Sequence, residues 1–130
     1  MIGEAPLVVV REEQLARYIL HNSHVRQDNT LKADPFIPHP RVDLSVTRHL
    51  QLSEPEIWAL GEDVARQTGK ALKGRGDTLA QTYLGQKLRI LAAPAPGNPN
   101  HANITGWPAD KPMQKIIALE IAAQSHYRPR

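Results

Sequence analysis

Leu44-Ser45-Val46-Thr47-Arg48 is followed, after a short break, by Ser53-Glu54-Pro55-Glu56-Ile57-Trp58-Ala59-Leu60. The first stretch alternates and carries β-branched residues, the pattern of a strand with one apolar face. The second opens as a helix. Ser53 is a good N-cap, Glu56 completes a capping box, and Pro55 falls in the first turn, where its missing N–H costs nothing. Ile57, Leu60, Val64 and Ala65 share one face at helical spacing, with Trp58 at its edge. Gly69 is placed to end the helix in a left-handed conformation.

Working outward, Leu7-Val8-Val9-Val10 reads as a strand. Glu12 to Leu20 fits a helix with Leu15, Ala16 and Ile19 inward, and Arg17–Leu20 fits a strand equally well. Residues 21–43 are polar and broken by Pro35, Pro38 and Pro40, a long irregular segment of the kind that is usually functional or mobile. Beyond the helix, glycines stand at 74, 76 and 85, with a short strand expected around Thr78–Tyr83. Lys87–Ala92 reads as another strand, Pro94–Asn100 as a turn, and His101–Thr105 as a short edge strand. A last helix is expected from its N-cap Asp110, with Pro112 in the first turn, to about Ser125. Met113, Ile116, Ile117, Leu119 and Ile121 give it a wide apolar face and predict that it is well buried. No repeat, low-complexity tract or regular βαβ alternation is present. The reading is a single α+β domain over residues 1–130, with a small, mostly antiparallel sheet packed with two or three helices.

The chain has 130 residues, 41% hydrophobic and 22% charged, which fits a globular domain. Cysteine is absent, so disulfides, thiolate zinc sites and cysteine nucleophiles are excluded. No apolar run matches a signal-peptide core or a bilayer span, so a soluble cytoplasmic protein with no membrane partner is expected. The net charge of +3 divides unevenly. Residues 1–60 hold six basic and eight acidic side chains, and residues 61–130 hold ten and five. The excess collects in Arg66, Lys70, Lys73, Arg75, Lys87 and Arg89. These form either a phosphate-facing binding patch or an ordinary solvated basic edge.

Six histidines stand in the chain, and His21, His24, His39 and His49 lie in or beside the irregular segment with Arg26, Arg41 and Arg48. Histidine suits proton transfer near neutral pH, and arginine is a fork for phosphate. Two histidines and an arginine suffice to cleave RNA without metal. One takes the 2′-hydroxyl proton, the other protonates the leaving oxygen, and arginine holds the phosphorane charge. His24, Arg26, Arg48 and His101 are the candidate catalytic residues, with Ser23 and Asn103 as supporting polar groups. Taken singly, each histidine also fits a structural or solvated role. His21 and His24 with Asp28 and Asp34 lack a metal-ligand spacing, so neither metal nor cofactor is expected. Phosphate-loop, dinucleotide and nucleophile-elbow motifs are missing. One Phe and three Tyr are too few for an aromatic base-stacking sheet. Arg75-Gly76-Asp77 reads as a coincidental tripeptide, with no secretion signal to make it an adhesion motif.

His101-Ala102-Asn103-Ile104-Thr105-Gly106-Trp107-Pro108 precedes the last helix. With Arg17-Tyr18-Ile19, Ala33–Pro38, Leu44–Arg48 and Leu52–Trp58, it resembles a family of small bacterial hypothetical proteins. The resemblance covers most of the chain and implies a bacterial, cytoplasmic origin, with no activity, cofactor or catalytic residue. Read physically, Trp107 caps the core, Gly106 takes a positive φ and Pro108 sets the approach to the helix. Alternatively, His101 and Asn103 lie side by side on one strand face and meet the irregular segment. Three functions follow. The first is a binding or accessory module for a protein partner, with nucleic acid or a nucleotide nearby. The second is a metal-independent phosphodiesterase or ribonuclease-like enzyme, and the third is a nucleotide-using transferase. Dispersed histidines and no cleft favour the first, and two histidines and an arginine in one cleft favour the second.

Overall fold

A computed structural model describes residues 6–38 and 42–130. His39 and Arg41 lie outside the described residues. Strands β1 (Gln14–Ile19), β2 (Leu44–Arg48), β3 (Gly74–Leu79), β4 (Arg89–Ala92), β5 (His101–Thr105) and β6 (His126–Pro129) form an antiparallel sheet. Their spatial order is β4-β5-β2-β1-β3-β6. Helices α1 (Glu54–Thr68), α2 (Ala80–Gly85) and α3 (Lys111–Ala123) complete the α+β architecture. Residues 21–38 hold two single 3-10 turns, Asn22–His24 and Asp34–Phe36, and one isolated antiparallel bridge, Val25 to Leu31.

Strand alternation sends two unlike sets of side chains to the two faces. Leu15, Ile19, Leu44, Val46, Ala102 and Ile104 face α2, α3 and the irregular segment, with Phe36, Tyr83 and Ile121 closing the main core. On the other face Ala16 and Tyr18 lie under α1, where they meet Ile57, Ala65 and Leu72. The Tyr18 hydroxyl donates to the Ile57 carbonyl at 2.6 Å, tying β1 to α1. Burial pushes this phenol up to about 12.

The sequence reading of α1 holds in detail. Ser53 and Glu56 make the capping box, and Gly69 closes the helix at φ 68°. Asp110 caps α3 by accepting from the Met113 N–H at 3.2 Å. Gly106 takes φ 88°, and the buried Trp107 donates Nε1–H to the Ile104 carbonyl at 3.0 Å.

Five expectations change. Leu7–Val10 lies outside the sheet, and Leu7, Val8 and Val10 are exposed. The carbonyls of Pro6 and Val8 go to the Arg48 side chain and the Val10 N–H to the Glu13 carboxylate, so β-propensity finds no ladder to join. The strand expected at Thr78–Tyr83 begins earlier, at Gly74, and gives way to α2 at Ala80. Gly76 belongs in a strand because Leu31 and Phe36 press on it: a Cβ there would stand 2.7 Å from Leu31 Cδ1. β5 is interior to the sheet, between β4 and β2. On α3, Ala118, Ile121 and Ala122 are buried while Met113, Ile116 and Leu119 are exposed, so its apolar stripe is wider than the core that receives it. Finally, His126–Pro129 adds a sixth strand that its polar composition concealed.

Arg48 sits in the main core with 1% of its surface exposed. Its Nε and Nη2 donate to the two Glu13 carboxylate oxygens at 2.8 and 2.9 Å. Glu13→Gln is expected to destabilise the domain by about 3–5 kcal/mol, because it strands a buried guanidinium without its counter-charge. Joint replacement, Glu13→Leu with Arg48→Met, should cost less than Glu13→Gln alone. Denaturant unfolding of both variants at neutral pH reads this difference.

Candidate functional site

β3 and β6 set the geometry. Arg75 and Asp77 alternate onto the α1 face of β3, and the register places Arg128 opposite Arg75 and His126 opposite Asp77. Directly paired residues of adjacent strands present their side chains next to each other on one face. One histidine and one arginine of β6 therefore flank the two charged residues of β3.

His49 arrives from the turn between β2 and α1. Its backbone N–H donates to the Gln14 carbonyl at 3.0 Å. Asn100 Nδ2 donates to the carbonyls of Arg48 and Leu50, and Gln51 takes φ 63° to complete the turn. The turn aims His49 Nε2 at Asp77 Oδ1, 3.0 Å away. A nitrogen facing a carboxylate carries the proton, which leaves Nδ1 as the basic nitrogen. Asp77 also accepts from Arg75 Nε at 2.9 Å and from Arg128 Nε at 3.2 Å. Burial alone would raise the Asp77 carboxyl, but hydrogen bonds from His49 and Arg75 outweigh it and hold the group below the usual carboxylate range.

Arg75 is fully buried, and its Nη2 donates to Glu54 Oε1 at 2.8 Å. Burial works against its charge, but Glu54 and Asp77 prevail and raise its pKa. His49, Asp77, His126 and Arg128 line a cavity of about 290 Å³ with Gln14 and Glu54. Arg128 is half exposed and, among the described residues, commits only its Nε, to Asp77, which leaves its two terminal nitrogens available as a fork. The cleft thus brings together two histidines, one oriented by a carboxylate, and a free arginine edge.

The residues singled out from the sequence lie elsewhere, with one exception. Arg75, expected in a surface patch, is the buried centre of this network. His24 lies in the first 3-10 turn, its ring centroid 4.7 Å from that of His21. Burial first, and then His21, lowers its pKa. Arg26 closes the bend after that turn by donating to the Leu31 carbonyl at 2.8 Å. Arg48 is buried in the main core on the sheet face opposite His101. His101 and Asn103 share the α1 face, but three strand steps separate β5 from β3, roughly 14 Å. His101 Nδ1 faces the Ala93 carbonyl at 2.9 Å. It borders a second cavity of about 320 Å³ with Ser45, Asp63, Gln67 and Asn98.

The binding residues also divide. Arg66 pairs with Asp63 on α1, and the Gly69 turn ends the helix before Lys70 and Lys73 can continue its face. Lys87 and Arg89 lie at the β4 edge, four strand steps from β3, roughly 19 Å. They form no single strip with the others. The Arg75-Gly76-Asp77 tripeptide is an internal ion pair within a strand. His49 and His126 could not be chosen from the sequence. Their signal is the register of β3 with β6 and the turn after β2, and neither leaves a local pattern.

Among the described residues, no group of three His, Asp or Glu side chains is placed to hold a metal ion, and no helix is long and apolar enough to cross a membrane. No family model, curated protein or solved structure matches the chain.

The depressed carboxyl of Asp77 makes stability depend on pH. A group held below its ordinary value of 3.8 contributes stability that is complete above about pH 5 and is lost as pH falls through its folded value. Asp77→Asn should remove this component, giving a lower melting temperature at pH 7 and a flatter acid limb. Thermal unfolding from pH 2 to 7, wild type beside variant, measures it. Parallel curves would show that Asp77 is not the group responsible.

Proposed function

We propose that the protein is a small phosphodiester-cleaving enzyme acting on RNA at the His49–His126 cleft. The observation that carries this reading is the convergence of two histidines and an arginine in one cavity, with a carboxylate orienting one histidine. His49 Nδ1 accepts the proton of a 2′-hydroxyl while Asp77 stabilises the imidazolium that forms. The 2′-oxygen attacks the adjacent phosphorus. His126 gives a proton to the departing 5′-oxygen, leaving a 2′,3′-cyclic phosphate and a free 5′-hydroxyl. Arg128 forks the non-bridging oxygens as charge builds on them. Arg75, fully buried, is a positioning residue that orients Asp77. Each step needs no metal.

A second reading, a binding or accessory module for a protein partner, draws on the exposed stripe Met113, Ile116 and Leu119 of α3. A nucleotide-using transferase is the third, and a thermal shift with dinucleotide but not RNA would favour it.

The test is incubation of the purified protein with RNA in chelator. His49→Ala and His126→Ala are each expected to lower the cleavage rate by about 10²–10⁴-fold, the usual contribution of a general acid or base. His24→Ala and His101→Ala should cleave within about twofold of wild type, since neither touches the cleft. Absence of cleavage, or equal loss in all four variants, would turn the balance to the binding module.

A further inference from the structure

Beside the cleft, and sharing Glu54 with it, runs a larger cavity of about 560 Å³ along the outer face of α1. Glu54, Trp58, Glu62 and Arg66 line it at intervals of four residues, so each side chain stands one turn beyond the last on the same face. Arg130, just past β6, reaches over this stripe. Its guanidinium carbon lies 5.1 Å from the Trp58 ring centroid, and its Nε donates to Glu62 Oε2 at 2.7 Å. The buried Arg75 lies 4.6 Å from the same ring, and its Nη1 has no hydrogen-bond acceptor, so the indole face offsets its charge. Trp58 thus links the floor of the cleft to the shelf beside it.

The shelf's chemistry differs from that of the cleft. Its three carboxylates are each paired with an arginine, Glu54 with Arg75, Glu62 with Arg130 and Asp63 with Arg66, which leaves no uncommitted cation there for a phosphate. The Arg130 guanidinium lies over the Trp58 indole, and its outer plane is a stacking surface for a flat ring. Carboxylates only accept hydrogen bonds, so the ring must bring donors. Among RNA bases, guanine alone presents two adjacent donors, N1–H and N2–H, on its pairing edge. They match the two oxygens of one carboxylate.

We propose that this shelf binds the guanine base of the nucleotide whose 3′-phosphate lies in the His49–His126 cleft. The proposal rests on the phosphodiesterase reading. A base stacked on Arg130 over Trp58 stands four residues along α1, about 6 Å, from Glu54 at the cleft's border, which suits the ribose between base and phosphate. The sugar then occupies the Glu54 end, and the pairing edge turns to Glu62. Glu62 Oε1 carries no hydrogen bond among the described residues.

Tryptophan fluorescence with the four nucleoside 3′-monophosphates and with inorganic phosphate tests this directly. Trp107 is 7% exposed and supplies a constant background. The guanine nucleotide is expected to quench Trp58 and to bind at least tenfold more tightly than the other three, a factor of ten being about 1.4 kcal/mol. Glu62→Gln should bring that preference below about threefold, roughly half of that energy, while leaving competition by inorganic phosphate unchanged. Trp58→Ala should abolish the quench, and if it fails to fold, Glu62→Gln alone decides. Equal affinity for the four nucleotides, or a preference that survives Glu62→Gln, overturns the proposal. Dinucleotide cleavage separates the two ideas. Equal cleavage after guanosine and adenosine removes the shelf and keeps the cleft. Selective guanine binding without cleavage keeps the shelf and removes the phosphodiesterase.

Discussion

Asp77 receives hydrogen bonds from three parts of the chain that are distant in sequence. Arg75 comes from its own strand, His49 from the turn after β2, and Arg128 from the last strand. A carboxylate largely removed from water is stable as an anion only when such donors surround it. Each donor is fixed by the acceptor it shares. The single charge therefore joins β3 to β6 and holds the β2–α1 turn against both. Without it Arg75 would keep only Glu54, at the solvent edge, as a counter-ion. The electrostatic centre of this side of the molecule and the chemistry of the cleft are the same group of atoms.

The sheet's two faces explain why a cleft exists at all. One face is covered by α2, α3 and the irregular segment and is filled with apolar side chains. The other carries a row across five strands, His101, Thr47, Ala16, Asp77 and His126, fixed by register. α1 covers only the centre of that row, over Ala16 and Tyr18. A single helix about 10 Å wide cannot cover six strands spaced about 4.8 Å apart. The polar flanks left on either side of α1 become the two clefts. Arg48 and Glu13 perform a different task on the covered face, where their ion pair anchors the segment before β1.

Elements whose cues are local are legible in the chain itself. The capping box of Ser53 and Glu56, the Asp110 cap, the Leu44–Arg48 alternation and the Pro94–Asn100 turn each involve neighbours within a few residues. Those that misled depend on distant partners. Leu7–Val10 has the composition of a strand and no strand to pair with. Gly74–Asp77 has the composition of a loop, yet Leu31 and Phe36 demand a glycine beneath them. His126–Pro129 is polar, short and at an edge, and only β3 makes it a strand. Met113, Ile116 and Leu119 show the converse, apolar residues that find no covering layer.

From the sequence alone came the class of the domain, its two longer helices and its stock of reactive groups: no thiol, six histidines and arginines among them. Composition and short-range spacing determine such things because they depend on residue type and on neighbours along the chain. The grouping of those residues came from tertiary structure. The histidines nearest one another in sequence, His21 and His24, sit together away from the cleft, while His49 and His126, seventy-seven positions apart, share it. Strand register and the side of the sheet to which each residue alternates decide which side chains meet. Both are set by long-range hydrogen bonding and burial, which leave no trace in any single stretch of the chain.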